Sequence, residues 1–380
     1  MTRGDTHLGN WRQPPYNRWA FNHVREIVPT ARIAGARQPA RLPRRTVEAA
    51  TLKVVAPDGR TLPLLEVIRL TFTDALLVVR QGTVIYEWYA HADAAREPHI
   101  LFSVSKSLTG ALAGCLVADG LLDVEAPVKL YVPEVDGSAY GDATVRHVLD
   151  MTVSLDFEEN YLDQTGAFAL YRMATGWNPT SKPADLKSFL IELGRLSRPH
   201  GQRFAYRSPN SDLLGWILER AARRPFACLL SERIWQPLGA GDAEITVDRL
   251  GASRTAGGIC ATIADVALFG EMMRNRGVAR GHPIVPGSWI DDIRSGGSRQ
   301  AWLAGDLVNL LPAGRYRSQW YQTGNDHDAF CAIGIHGQWV YVDPLAALVV
   351  VKQSSQPTPV DDALDHLTLA SFAALAQSPH

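Results

Sequence analysis

An apolar stretch that contains a single lysine limits what this chain can fold into. Residues 103–117 read Ser-Val-Ser-Lys-Ser-Leu-Thr-Gly-Ala-Leu-Ala-Gly-Cys-Leu-Val, which predicts a helix buried on nearly every face. Gly120 then supplies a C-terminal stop. A buried lysine is costly unless it is paired or has lost its charge. Because positions i and i+3 share one face of a helix, Lys106 and Ser103 are expected to meet where this helix begins.

Ser103 and Lys106 have the spacing of a catalytic pair. A serine hydroxyl is a poor nucleophile at neutral pH, and a lysine whose pKa is lowered toward about 7–8 can activate it. Backbone N–H groups at the start of the helix could hold a developing oxyanion. Of the six lysines in the chain, Lys106 alone has serine three positions earlier, so the match does not come from a lysine-rich background. The alternative is a helix-capping serine and a lysine that extends to solvent.

Two later segments carry groups that a Ser-Lys site needs. Tyr206 precedes a predicted helix and could relay a proton to the leaving group, although a half-buried tyrosine with a satisfied hydroxyl is the common alternative. Ile335 lies on a predicted late strand, and its backbone N–H is the candidate second oxyanion donor. His336 is a candidate base, but a lone strand histidine is more often structural.

The pattern of elements predicts an α/β fold of the α+β type, with an antiparallel sheet built from both ends of the chain, helices on its faces and a mostly helical insertion. We predict an irregular N-terminal extension, packed loosely on the body, over residues 1–50. The sheet domain takes residues 51–120 and 250–380, the helical domain takes 121–249, and the active site lies in the cleft between them. The predicted elements are a hairpin at 74–80 and 83–89, helices at 145–151, 184–196, 212–223, 265–275 and 360–376, and strands at 332–342 and 346–353.

Composition excludes several functional classes. The net charge of −1 over 380 residues gives no field that would attract nucleic acid or an acidic membrane. The N-terminus lacks a secretory signal, and no apolar run is long enough to span a bilayer. Scattered cysteines without a CxxC motif predict free thiols and a cytoplasmic location. With no G-x-S-x-G or H-E-x-x-H motif, we expect neither an α/β-hydrolase triad nor a metal or other cofactor. The acidic residues Asp156, Glu158, Glu159 and Asp163 predict a solvated loop near the cleft.

Three motifs stand in an order that resembles a known superfamily. Ser103-Val-Ser-Lys106, Tyr206-Arg-Ser208 and Ile335-His-Gly337 follow the order seen in serine β-lactamases and penicillin-binding proteins. Among class C-like members, the chain is most similar to the 6-aminohexanoate-dimer hydrolases and related carboxylesterases. Residues 144–154 also resemble the superfamily's segment that follows the nucleophile helix, while Trp11–Phe21, Gly257-Gly258 and Gly334–Gln338 carry the closer likeness. The resemblance implies a β-lactamase/transpeptidase-like fold and an acyl-enzyme on Ser103, with Lys106 and Tyr206 moving protons and the N–H groups of Ser103 and Ile335 forming the oxyanion hole.

The departures from the family pattern concern the substrate. The β-lactamases carry Asn at the position of Ser208 and Lys-Thr-Gly at 335–337. The missing lysine would have bound the β-lactam carboxylate, and losing such a charged partner costs about 1.5–3 kcal/mol, so β-lactamase activity is expected to be weak or absent. The 6-aminohexanoate-dimer hydrolases have a substrate-side tyrosine at Tyr161, an acidic residue near Arg172 and Asn at Ala256. An arginine in the amine pocket would repel a cationic substrate.

The sequence therefore predicts a serine hydrolase that cleaves carboxylic esters and, as a lower-ranked class, linear amides such as 6-aminohexanoate oligomers. The residues expected to contact the substrate are Tyr161, Arg172, Ser208, Ala256 and His336. The alternative is a penicillin-recognising or ligand-binding module of the same fold with little turnover. The expected partner is a small ester or amide, without nucleic acid or membrane, and a homodimer is left open.

Overall fold

A seven-stranded antiparallel sheet holds the two ends of the chain together. The computed structural model describes residues 3–49 and 51–378. From one edge to the other, the strands of this main sheet are residues 315–317, 320–322, 330–334, 338–343, 348–354, 73–80 and 83–89. The strand at 348–354 pairs with the strand at 73–80, so that Val350 lies opposite Val78 and the late strands join the early hairpin. These two strands are almost wholly buried because helices cover both faces of the sheet.

The elements are numbered in chain order. The helices are α1 Asn17–Ala20, α2 Leu64–Leu70, α3 Val104–Ala118, α4 Val145–Leu149, α5 Ala167–Ala174, α6 Leu186–Ile191, α7 Ser208–Ala222, α8 Phe226–Leu230, α9 Gln236–Leu238, α10 Ile263–Arg274, α11 Gly287–Ser295, α12 Arg299–Leu303 and α13 Asp362–Gln377. The strands are β1 Thr30–Ile33, β2 Lys53–Val55, β3 Thr61–Pro63, β4 Thr73–Arg80, β5 Thr83–Tyr89, β6 His99–Ile100, β7 Ala243–Thr246, β8 Ile259–Ala261, β9 Val278–Ala279, β10 His282–Pro283, β11 Arg315–Arg317, β12 Trp320–Gln322, β13 Phe330–Gly334, β14 Gln338–Asp343 and β15 Leu348–Ser354.

The predicted sheet with flanking helices is confirmed. On one face, Phe372 of α13 packs against Trp339 and Tyr341 of β14. On the other face, α10 packs along β14, β15 and β4. The hairpin of β4 and β5 turns at Gln81 and Gly82, which have φ of 50° and 76°, as a tight two-residue turn requires. How the chain divides into domains stays a prediction, and its limits at residues 1, 50 and 380 lie outside the described residues.

The N-terminal segment is part of the core, so the prediction of a loosely packed arm is wrong for residues 11–33. Strand β1 pairs with β7 in a second antiparallel sheet, of order β1-β7-β8-β6. The Trp11 and Phe21 side chains are fully buried against Phe102, which immediately precedes Ser103. Large aromatic side chains bury enough area to fix a segment that has little regular structure of its own. The sequence did not reveal this packing, because prolines and arginines separate the aromatic residues and leave no continuous apolar pattern.

Some element boundaries differ from the prediction for local reasons. Helix α7 begins at Ser208, four residues before the predicted start, because Pro209 is tolerated in the first turn. Helix α4 ends at Leu149, and Met151 then takes a φ of 55°, which no helix continues. Residues 332–342, predicted as one strand, form parts of β13 and β14 with a turn between them.

Three further features concern membrane-spanning helices, clusters of metal ligands and cysteines. None of the helices within the described residues is both long and apolar enough to cross a membrane. Within residues 3–49 and 51–378, no group of three or more His, Cys, Asp or Glu side chains is arranged to hold a metal ion. The cysteines Cys115, Cys228, Cys260 and Cys331 are free thiols, as predicted.

Helix α3 packs so closely that glycine is required along it. A Cβ at Gly110 would lie 2.2 Å from the Ser318 carbonyl oxygen, and one at Gly114 would lie 2.5 Å from the Trp289 ring. The Trp289 indole N–H donates to the Gly110 carbonyl oxygen over 3.0 Å. These close contacts fix the middle of α3, which follows directly after Ser103, against its neighbours.

Gly110→Ala should lower the free energy of unfolding by about 1–3 kcal/mol, because the added methyl group has no space beside the Ser318 backbone. Urea unfolding measures the change. The matched control is Gly194→Ala, where a Cβ would meet only the Asp156 Cβ at 3.8 Å. The control should be neutral or stabilising by about 0.4–1 kcal/mol through the unfolded chain. Equal stability of the two variants would contradict the packing described for α3.

Candidate active site

A strained residue sets the position of Ser103. Strand β6 ends at Ile100, Phe102 then takes a φ of 43°, and α3 begins at Val104. A left-handed backbone is unfavourable for a bulky residue and persists only where the surroundings hold it. Here the aromatic side chains of Trp11, Phe21 and Trp177 pack around the Phe102 ring. The resulting bend places Ser103 at the wall of a cleft, ahead of the first turn of α3.

Ser103 and Lys106 are in direct contact. The Lys106 Nζ lies 2.8 Å from the Ser103 Oγ and 2.7 Å from the Ala256 carbonyl oxygen. The lysine is only 2% exposed, and the serine side chain makes no capping hydrogen bond to the helix. The alternative of a capping serine and a solvent-directed lysine is therefore wrong on both counts.

Burial alters the acid-base chemistry of Lys106. Desolvation lowers its pKa to about 7, and the nearby Arg254 guanidinium acts in the same direction. Glu159 and Asp212 attract the charged form and limit the fall in pKa. Near neutral pH the amine is therefore available in its uncharged form, with a lone pair beside the serine hydroxyl.

A buried ion pair fixes the second partner of Lys106. Asp212, on α7, pairs with Arg254 and accepts the Ala256 backbone N–H over 2.8 Å. The Tyr171 hydroxyl donates to the same carboxylate over 2.5 Å. Paired and hydrogen-bonded in this way, the Asp212 charge is tolerated in the interior. The network holds the backbone at Ala256, whose carbonyl oxygen accepts a hydrogen bond from the lysine amine.

Tyr206 lies beside the pair. The Lys106 Nζ is 4.9 Å from the centre of the Tyr206 ring. Desolvation raises the tyrosine pKa above its usual value, Glu159 adds to the rise, and interactions with the Ser103 and Tyr321 hydroxyls oppose it. The phenol is therefore protonated at neutral pH. Its backbone N–H is held by Asp306 over 3.1 Å, which fixes the segment before α7.

The turn between β13 and β14 reaches Ser103. A Cβ at Gly334 would lie 3.1 Å from the Ser103 backbone nitrogen and 2.7 Å from the Leu101 carbonyl oxygen, so only glycine allows this approach. Among the described residues, the backbone N–H groups of Ser103 and Ile335 donate no hydrogen bond. Two unused donors thus remain near the serine hydroxyl, an arrangement suited to an oxyanion.

The strand predicted for Ile335–Gly337 is wrong, because these residues form the turn itself. His336 and Gly337 have φ of 61° and 85°, which no strand contains. Buried Lys352 supports the turn by donating to the Gly337 carbonyl oxygen over 3.1 Å. The His336 Nδ1 lies 2.7 Å from the Gln356 carbonyl oxygen, and burial lowers the histidine pKa to about 4. His336 is thus a neutral, packed side chain.

Glu159 is a site residue that the sequence did not single out. Its carboxylate accepts the Ser208 backbone N–H and, over 2.6 Å, the Ser208 hydroxyl. It also accepts the Tyr161 hydroxyl over 2.9 Å. The carboxylate thus satisfies the start of α7 and joins two predicted pocket residues. In sequence, Glu159 is one of four nearby acidic residues, and nothing in that cluster distinguishes it from the solvated ones.

Two cavities meet at Ser103, and Tyr161 and Ile335 line both of them. The first, of about 230 Å³, is called the arginine cavity because Arg12, Arg172 and Arg254 line it. The second, of about 190 Å³, is called the tyrosine cavity and is lined by Tyr206, Tyr321, Glu159, Asp362 and Asp365, among others.

The structure brings together the site residues predicted from the sequence. Those that line the arginine cavity are Ser103, Tyr161, Arg172, Ser208, Ala256, Ile335 and His336. Tyr206 lines the tyrosine cavity, and Lys106 lies behind Ser103. Arg12 and Glu159 are the additions; Arg12 comes from the N-terminal segment, and Glu159 lies two residues before Tyr161.

Comparison with known proteins gives the same family as the motifs. The family model described as Beta-lactamase matches residues 71–374. The 6-aminohexanoate-dimer hydrolase of Paenarthrobacter ureafaciens is 38% identical over 359 residues, which cover 94% of this chain and 90% of that protein. Esterase EstB of Burkholderia gladioli is 31% identical over 182 residues, 44% of this chain and 45% of the esterase.

Solved structures share the fold. A structure from Bacillus anthracis, described as a candidate 6-aminohexanoate-dimer hydrolase, superposes with a TM-score of 0.90 at 27% identity and covers 99% of this chain and 97% of that one. The hydrolase EstCE1 superposes with a TM-score of 0.62 at 17% identity, covering 81% and 98% of the two chains. The family match spans most of the chain, and a relative more than 30% identical is covered over nearly its full length. The chain therefore belongs to the serine β-lactamase family and is a hydrolase of that family.

Proposed function

We propose that this protein is a serine hydrolase that forms an acyl-enzyme through Ser103 and cleaves carboxylic esters. Linear amides, such as 6-aminohexanoate oligomers, are the second substrate class. The observation that carries the proposal is the 2.8 Å contact between the Ser103 hydroxyl and the desolvated Lys106 amine. The relatives named 6-aminohexanoate-dimer hydrolase and esterase support both substrate classes.

In the proposed acylation, neutral Lys106 takes the Ser103 proton while the serine oxygen attacks the carbonyl carbon. The oxyanion that forms is held by the backbone N–H groups of Ser103 and Ile335, each donor contributing about 3 kcal/mol. Tyr206 donates its proton to the leaving oxygen or nitrogen and regains one from Lys106. Water then attacks the acyl-enzyme by the same steps in reverse, releasing the acid and free Ser103.

Lys106 is the preferred base because burial affects the two candidates differently. It lowers the lysine pKa to about 7 and raises the tyrosine pKa above 10, so the neutral amine is far more accessible than the phenolate. A phenol that keeps its proton suits a donor to the leaving group. Other expectations stay predictions: weak or absent β-lactamase activity, a cytoplasmic location, no nucleic-acid or membrane partner, and the open question of a homodimer.

Ser103→Ala should abolish steady-state hydrolysis of a p-nitrophenyl ester, with kcat falling by about 10³-fold or more because the nucleophile is lost. The matched control is Ser107→Ala, a buried serine of the same helix whose hydroxyl donates to the Gln319 carbonyl oxygen. The control should keep turnover. Unchanged turnover in Ser103→Ala would refute the mechanism. A stoichiometric burst without turnover in the unmodified protein would favour the ligand-binding module instead.

The pH dependence should follow Lys106. Since the neutral amine is the base and its pKa is about 7, kcat/KM should fall about tenfold per pH unit below that value and level off above it. Lys352 is also buried with a pKa lowered to about 7, so Lys352→Met is the control. Its profile should keep the same midpoint. A flat profile between pH 6 and pH 8, or a midpoint that moves in the control, would argue against Lys106 as the base.

Gly334→Ala should lower kcat by about 10–100-fold, because a methyl group 3.1 Å from the Ser103 nitrogen displaces the Ile335 N–H from the oxyanion. KM should change less, since the loss falls on the transition state. Steady-state kinetics of a p-nitrophenyl ester check both values, with Gly194→Ala as the matched glycine control. A normal kcat in folded Gly334→Ala would exclude this turn from the oxyanion hole.

A further inference from the structure

The arginine cavity contains more positive charge than the proposed acylation uses. Of its three arginines, Arg254 is compensated by its ion pair with Asp212. Among the described residues, no carboxylate lies within ion-pair distance of Arg12 or Arg172. Arg12 donates to the Asn178 side-chain oxygen. Arg172 donates to the backbone oxygens of Tyr161 and Asp163, over 3.2 and 2.5 Å, and to the Gln164 side chain at 3.5 Å.

These two arginines are built into the cavity wall. Arg172 is 6% exposed, and its guanidinium lies 5.2 Å from the Phe168 ring centre. Arg12 lies over the rings of Trp11 and Trp177, at 5.2 and 5.8 Å. The Nε groups of Arg12 and Arg172 are buried and have no hydrogen-bond partner. Fixed guanidinium groups with unused donors lose little entropy when a ligand binds.

The surrounding charges do not cancel this excess. Burial, together with repulsion by Arg172 and Arg254, lowers the pKa of Arg12 to about 9, so Arg12 stays protonated at neutral pH. His336 lines the same cavity and is neutral. The Asp163 carboxylate attracts Arg172 from a distance but is occupied by the N–H groups of Thr165 and Gly166.

The cavity also has a defined place in the reaction. Tyr206, the proposed proton donor to the leaving group, lines the tyrosine cavity and not the arginine cavity. The leaving group therefore fits the tyrosine cavity, and the acyl chain extends from Ser103 into the arginine cavity. The carboxylates of Glu159, Asp362 and Asp365 line the tyrosine cavity and would repel an anion placed there.

We propose that the arginine cavity binds a carboxylate at the far end of the acyl chain, so that the enzyme prefers half-esters and half-amides of short dicarboxylic acids. Arginine matches the planar geometry of a carboxylate with paired N–H donors. This inference rests on the proposed function and names its substrate class. It also explains why an arginine at position 172 suits a different acyl group from the cationic one of an aminohexanoate oligomer.

Three p-nitrophenyl esters of equal chain length test the inference: mono-p-nitrophenyl adipate, which ends in a carboxylate, the neutral hexanoate and the cationic 6-aminohexanoate. For the unmodified protein at low salt, kcat/KM should be at least tenfold higher for the adipate ester than for the hexanoate, and lowest for the aminohexanoate. The preference should arise mainly in KM and shrink as salt screens the arginines. Free adipate should inhibit competitively, and hexylamine should not.

Variants then assign the effect to the arginines. The ratio of kcat/KM for the adipate ester to kcat/KM for the hexanoate ester should fall about tenfold in Arg172→Gln and in Arg12→Gln. Arg172→Lys should keep part of this preference. Arg172→Asp should instead favour the aminohexanoate ester. The control is Arg207→Gln, an arginine of the tyrosine cavity that is paired with Asp306, which should leave the ratio unchanged.

The possible failures are distinguishable. If the adipate and hexanoate esters are hydrolysed through Ser103 without preference for adipate, the anion site is refuted and the proposed function stands. The same conclusion follows if the adipate-to-hexanoate ratio of kcat/KM is unchanged in Arg12→Gln and Arg172→Gln. If no ester is hydrolysed and isothermal titration calorimetry detects no binding of adipate, both the anion site and the proposed function are refuted.

Discussion

The rest of this structure depends on keeping one lysine amine out of water. Moving a charged amine into the interior costs several kcal/mol, so burial lowers the pKa of Lys106 to about 7 and a substantial fraction of the amine is uncharged at neutral pH. Two acceptors, the Ser103 hydroxyl and the Ala256 carbonyl oxygen, then satisfy the amine. Burial therefore has two effects on Lys106: it costs desolvation free energy, and it provides an uncharged amine beside the Ser103 hydroxyl.

The groups that maintain this environment come from separate parts of the chain. Asp212 on α7 accepts the Ala256 backbone N–H, and the strained Phe102 is held by Trp11 of the N-terminal segment. Gly334 lets β13 approach the serine from the late strands. Each contact is local and small, but all of them must form before Ser103, Lys106 and the two N–H donors share one geometry. Such a site is a product of the complete fold.

Much of the fold and the centre of the site were predictable because short-range rules govern them. The β4–β5 hairpin follows from its Gly turn, and the Ser103–Lys106 contact follows from helical spacing. The turn at 335–337 was missed because the apolar residues on either side of it, 332–335 and 339–342, were read as one strand. The reversal is visible in the left-handed backbone of His336 and Gly337. Glu159 and Arg12 were missed because their partners are set by long-range packing, which no local pattern encodes.

The N-terminal segment has a consequence for how substrate choice could diverge among relatives. Arg12 lies outside residues 71–374, which the family model matches, whereas Ser103, Lys106 and Tyr206 lie within them. One wall of the cavity is thus supplied by a segment that the shared catalytic fold does not specify. Exchange or drift of that segment could alter the charge of the cavity while Ser103, Lys106 and Tyr206 stay the same, so part of the proposed selectivity lies outside the stretch that holds the proposed catalytic groups.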